Sequence, residues 1–256
     1  MPSHFVPQHN ILIHLPLWLS RWFGYRRTPP PKRPQYVVWF WSWVGAFCGL
    51  SVIMAVFGQA QYFINRHVPL LIASYGASAV LIYGAIEAPL AQPRPLVGGH
   101  FIGALIGVCC TKLFLHLPPA RFEQLRWLDA SISCATTVVL MQITGTTHPP
   151  AGATSVLPAV DAAFTQLGWY YLPVVLLSSS LALAVALVIN NLQRRYPLFW
   201  IMPPKVVPAA PGPGMGVAEQ GAEEVGQRSE SVATTTVDEP PQVEVEKRNA
   251  DPSQMV

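Results

Sequence analysis

The sequence predicts an all-α polytopic membrane protein. About six transmembrane or half-membrane helices form two related halves, and a disordered C-terminal tail follows. Three observations carry this expectation. The 256 residues are 51% hydrophobic and only 11% charged, whereas a soluble domain carries about 25% charged residues. A six-residue element recurs 76 positions apart, as GASAVL at residues 76–81 and GATSVL at residues 152–157. After Met202, aromatic residues vanish and Pro, Gly, Glu, Ser, Thr and Gln take over.

Charge placement excludes other classes. Residues 203–256 carry nine acids and four bases; the rest of the chain sets twelve bases against Glu87, Glu123, Asp129 and Asp161. Most bases flank apolar runs, the membrane pattern, instead of clustering on a soluble face as nucleic-acid binding requires. No nucleic-acid partner is expected; the lipid bilayer is. Cys48, Cys109, Cys110 and Cys134 lie inside apolar segments and form no C-x-x-C pair, so they read as small buried hydrophobes rather than metal ligands. No metal, cofactor or catalytic residue is expected. The chain has neither a nucleophile elbow nor an H-E-x-x-H motif.

Taken in order, residues 1–36 hold five bases (Arg21, Arg26, Arg27, Lys32 and Arg33) and no acid. Leu12, Leu15, Trp18, Leu19 and Trp22 are spaced to share one face of an interfacial helix. The transmembrane domain is placed at residues 37–192. Residues 37–58 are apolar and long enough to span, with Trp39, Trp41 and Trp43 at their entry. Residues 68–86 form a second apolar segment rich in small residues. Three prolines in residues 87–95 forbid a continuous helix there. Residues 97–117 follow, with Gly99, Gly103 and Gly107 on one close-packing face. Residues 118–126 read as a polar loop, 127–143 as a span, and 169–189 as the last span. The tail, residues 204–256, lacks the apolar surface to offset its ordering entropy.

Residues 144–157, TGTTHPPAGATSVL, break the pattern. Pro149 and Pro150 fix two φ angles and remove two donors. A helix restarts at Pro150, where proline is tolerated, and offers its positive end and free N–H groups near Gly152 and Thr154. Broken backbone at membrane depth survives only where protein or a water-filled cavity covers it. The repeat sets Gly76 and Ser78 opposite Gly152 and Thr154, as paired interrupted helices in transporters are set. Positive flanks at both ends of the domain require an even number of crossings, and six are favoured over four. The candidate substrate-binding residues are Arg94, His100, His148, Gly152, Thr154, Gly76 and Ser78. Arg94 offers a planar guanidinium to an oxyanion; His100 and His148 offer donors or a proton relay. Glu87 and Asp129 are expected to pair with Arg94 or Lys112.

The motifs AQPR (91–94), GGH (98–100) and HPPAGA (148–153), in that order, resemble the HPP family of integral membrane proteins over residues 37–192. The resemblance implies small-anion transport, since a plant member is regarded as a chloroplast nitrite transporter. Family descriptions count four spans. The expected function is therefore a transporter or channel for a small inorganic anion such as nitrite or nitrate. The alternative is a non-transporting membrane scaffold or sensor whose tail recruits partners. A multi-pass integral membrane location is expected, with plasma and organellar membranes both compatible and with self-association into a homo-oligomer open.

Overall fold

The computed structural model describes residues 16–26 and 33–201. The tail and the first fifteen residues, including Leu12 and Leu15, lie outside the described residues. The chain forms α1 (Leu17–Trp22), α2 (Gln35–Gln59), α3 (Gln61–Ile64), α4 (Ser74–Ala79), α5 (His100–Phe114), α6 (Pro119–Thr144), α7 (Pro150–Val160), α8 (Ala162–Leu167) and α9 (Tyr171–Gln193). A π-helical turn, Val80–Gly84, extends α4, and another, Pro95–Gly99, leads into α5. Among the described residues there is no strand. Three helical stretches are long and apolar enough to cross a membrane: Gln35–Gln59, Pro95–Phe114 and Ala162–Gln193.

Helix α6 starts well before its expected span. Residues 118–126 are not a loop but the cap and first turns of the helix, entered through Pro119 at its first position. Arg121, Glu123 and Arg126 disguise it, because polar turns at a helix end lower local hydropathy without breaking the helix. Its stop is legible: Gly145 takes φ +63°, and the Thr146 and Gly145 N–H groups return to the Met141 and Gln142 carbonyls. That pair of hydrogen bonds is a Schellman cap, which needs a residue tolerant of positive φ.

The two repeated elements are half-length helices. Residues 74–84 and 150–160 each contain eleven residues, about 16 Å at ~1.5 Å per residue, half of a bilayer core of about 30 Å. Each is joined to a non-helical stretch that completes its pass. The first enters beside the end of α2, where Gly58 abuts Leu70, and leaves beside the start of α2, where Ser42 donates to the Tyr83 carbonyl. The second begins at the end of α6, and its far end lies beside the first turns of α6, where Arg126 donates to the Ala159 carbonyl at 2.9 Å. The chain therefore makes six passes between the two ends of the bundle, four helical and two half-helical. The order of directions in the first three passes is inverted in the last three. The apolar segment at residues 68–86 makes its pass in this broken form, with helix only from Ser74 to Gly84.

Apolar and polar faces are inverted relative to a soluble protein. Trp39, Phe40, Trp43 and Phe47 of α2 are exposed, while Gly45, Gly49, Ile53 and Phe57 are buried. Helix α6 exposes Trp127, Val138, Val139 and Ile143 and buries Asp129, Ser133 and Thr137. An apolar exterior suits lipid, and polar groups turn inward to find partners. Gly99, Gly103 and Gly107 lie directly against Thr146, Ala151 and Ser155 backbone. The constant spacing makes α5 and α7 parallel, and the expected small-residue face is their contact.

Both ends of the described chain meet at one end of the bundle. Arg26 donates to the carbonyls of Asn191 (2.9 Å) and Arg194 (3.2 Å), and Arg195 donates to the Gly24 carbonyl (2.8 Å). Burial, and after it the charges of Arg21 and Arg195, push the Arg26 guanidinium down from its ordinary range. Arg194 donates to the Tyr83 carbonyl and Asn190 to the Ile82 carbonyl, so a cation and an amide close the C-terminal end of the first half-helix. Single cysteines at the exposed Trp18 and Ile201 positions should therefore react with an impermeant thiol reagent from the same side, and one at exposed Trp169 from the other. Opposite-side labelling of the first two would contradict the six-pass order.

Candidate functional site

The two half-helices run antiparallel and overlap at their N-terminal turns. Ser74, the first residue of α4, bonds Thr154 of α7 through their hydroxyls at 2.8 Å. One turn later on α4, the Ser78 hydroxyl lies 2.8 Å from Nε2 of His100 and 2.9 Å from Nε2 of His148. Nδ1 of His100 lies 2.7 Å from the Thr154 hydroxyl, and Nδ1 of His148 lies 2.9 Å from the Leu90 carbonyl. Ser78, His100, His148 and Thr154 are all fully buried. Tyr75 stacks on the His100 ring, centroids 4.4 Å apart, and its hydroxyl reaches Ser179 and the Val175 carbonyl.

Local sequence explains how these groups are held. The spacing of Ser74 and Ser78 puts both on one helix face. His148 lies in the non-helical stretch between α6 and α7, where the following Pro149 biases it away from helical geometry; Pro149 itself is already helical. His100 is in the first helical turn after the π-helical entry of α5, and Gly99 lets that turn approach the His148 side chain, where a Cβ would come within 2.8 Å. Pro158, inside α7, has no N–H to bond the Thr154 carbonyl one turn back. The Tyr171 hydroxyl supplies that bond at 3.0 Å, which ties α9 to the cluster.

Of the sequence candidates, Ser78, His100, His148 and Thr154 come together. Gly76 lies near them on α4, and a Cβ added there would meet no other element within 4 Å among the described residues; one added at Gly152 would face Cys134 Sγ at 3.5 Å. The free N–H donors expected beside Gly152 are not free. The Ala151 and Gly152 N–H groups return to the His148 and Pro149 carbonyls, and those of Tyr75 and Gly76 return to Ile72 and Ala73. Tightened i→i+3 turns satisfy these four N–H groups, and side chains form the hydrogen bonds that join the cluster. Arg94 is outside the cluster, at the basic end, donating to the Thr144 and Ile201 carbonyls. The expected acid pairs are not formed: Asp129 accepts from Ser133, and Glu87 is exposed. Sequence reasoning misses Ser74, Tyr75, Tyr171 and the Leu90 carbonyl. Only the i, i+4 spacing of Ser74 and Ser78 could signal one of them.

Residues 31–197 match the family model of the HPP transmembrane region. Two transmembrane proteins of Dictyostelium discoideum are similar to the chain. One is 34% identical over 193 residues, 74% of this chain and 65% of its own length. The other is 33% identical over 198 residues, 75% of this chain and 61% of its own length. The chain thus spans under two thirds of these relatives. No solved structure matches it.

Proposed function

The chain belongs to the HPP transmembrane-region family and is a multi-pass integral membrane protein, and from that premise we propose that it transports a small inorganic anion, nitrite or nitrate first. One observation carries the reading: two oppositely directed half-helices meet at a buried set of hydroxyl and imidazole groups. Both half-helix N-termini turn their positive ends toward the same place, as interrupted helices do around anionic groups in transporters. Among the described residues, no carboxylate is hydrogen-bonded to Ser74, Ser78, His100, His148 or Thr154, so a bound anion meets donors and no competing charge. Nitrite and nitrate are small, planar and singly charged, matched to a few convergent donors. Arg94 stands on the loop that supplies Leu90 and holds a positive charge at the basic end.

The binding groups are Ser78, Thr154, His100 and His148. Here they bond one another, and an arriving anion takes over those donors. The test is a flux screen of the full chain in liposomes, using nitrite, nitrate, formate and chloride with and without a pH gradient. Nitrite or nitrate should move faster than through protein-free vesicles. If no anion moves, the transport reading fails, and a membrane scaffold or sensor takes its place.

A further inference from the structure

The hydrogen bonds of the buried cluster have a fixed direction. A backbone carbonyl accepts and never donates, so the Leu90 carbonyl makes Nδ1 of His148 a donor. In the neutral ring Nε2 is then an acceptor, and its partner, the Ser78 hydroxyl, donates to it. The Ser74 carbonyl, at 3.3 Å, is the longer alternative for that proton. With its own proton committed, the Ser78 oxygen accepts from Nε2 of His100. Nδ1 of His100 must accept from the Thr154 hydroxyl, which in turn accepts from Ser74. Five bonds therefore point one way, from Ser74 through Thr154, His100, Ser78 and His148 to Leu90, with every member satisfied.

One added proton can be held, with every bond kept, as an imidazolium at either ring. The His148 imidazolium donates to an amide carbonyl, a stronger acceptor than the two hydroxyls around His100, and so takes the proton. If it enters at Ser74, each group passes one proton to the next, and His148 ends as an imidazolium. Its Nδ1 still donates to Leu90, and its Nε2 now donates to Ser78. Ser78 donates to Nε2 of His100, Nδ1 of His100 to Thr154, and Thr154 to Ser74. No bond is lost, the four inner bonds reverse, and the net change is one proton and one positive charge. His100 stays neutral but changes tautomer.

We propose that this chain of side chains is a one-proton site in which protonation of His148 and the tautomer of His100 are linked through Ser78. It deepens, and rests on, the transport reading: a proton held at His148 offsets the charge of an anion bound beside it, so the coupling ion is the proton. The groups facing the chain from packed elements are Tyr75 of α4, stacked on His100, and Tyr171 of α9, on the Thr154 carbonyl. From α6 comes Cys134, beside Gly152, while Asp129 of the same helix is engaged with Ser133. Arg94 and Glu87 belong to the loop that carries Leu90. The hydrogen bonds of the two imidazoles go to none of these, and Ser78 is the shared partner of both rings.

The experiment is 15N NMR of histidine-labelled full chain in phosphatidylcholine vesicles, acidified stepwise from about pH 8 through the histidine range. Single His→Gln variants assign the two rings. At the start, His148 should carry its proton on Nδ1 and His100 on Nε2. On acidification His148 should become an imidazolium while His100 stays neutral and moves its proton to Nδ1 in the same step. Ser78→Ala should leave the His100 tautomer fixed while His148 titrates, and Ser78→Thr should restore the link. A His100 tautomer that ignores His148, independent charging of both rings, or no imidazolium before unfolding would each overturn the proposal. So would a link that survives Ser78→Ala. These readouts need no flux: linked rings in a chain that moves no anion would sink the transport reading alone, and flux with unlinked rings would sink the proton site alone.

Discussion

Gly103→Val should lower the stability of this protein sharply, whereas Gly152→Ala should be nearly silent. A Cβ at Gly103 would come within 2.5 Å of the Ala151 carbonyl oxygen and 3.6 Å of the Ser155 nitrogen. The obstacle is backbone, so no rotamer change relieves it. Overpacking costs about 1–3 kcal/mol, occasionally more, and this contact should lie at the upper end because it forces α5 away from the half-helix that carries Thr154. At Gly152 a new Cβ would meet Cys134 Sγ at 3.5 Å among the described residues outside its own helix backbone, an ordinary contact. Thermal unfolding in detergent and the monodisperse fraction on gel filtration measure both. Equal stability of the two variants would mean that the α5–α7 contact is looser than described.

The spans are legible because lipid as solvent demands long apolar runs, and α2, α5 and α9 provide them. The half-helix starting at Pro150 is legible from its two prolines, and its partner only through the repeated six residues. The start of α6 is hidden by Arg121, Glu123 and Arg126. Short α8 leaves little pattern, and its cap, Asp161 accepting from the Ala163 N–H, reads in sequence as an interruption of α7. In the site, His100, His148, Ser78 and Thr154 stand out as polar residues at membrane depth. Tyr171 does not, because its partner is a carbonyl freed by Pro158 and brought near only by folding. The Leu90 carbonyl, which sets the direction of the bonds, belongs to the backbone and has no side-chain signature. The donors expected beside Gly152 show the limit of treating a helix start as open, since i→i+3 turns close it.

Loss of single donors from the cluster should stop transport without unfolding the protein. Thr154→Val keeps the shape and removes the hydroxyl shared by Ser74 and Nδ1 of His100. Ser78→Ala removes the oxygen that both histidines bond. Each leaves buried polar partners unmatched, at a cost of about 1–3 kcal/mol, which lowers stability but leaves most molecules folded if the wild type has the usual margin of about 5–15 kcal/mol. Val139→Ala, on the exposed face of α6, is the control. The deciding measurement is liposome flux of the anion that the wild type moves best, divided by the amount of folded, reconstituted protein. A tenfold or greater fall corresponds to about 1.4 kcal/mol or more and is expected for Thr154→Val and for Ser78→Ala, with Val139→Ala unchanged. Normalised flux at the wild-type level in both cluster variants would contradict the account and leave the meeting of the half-helices a structural joint.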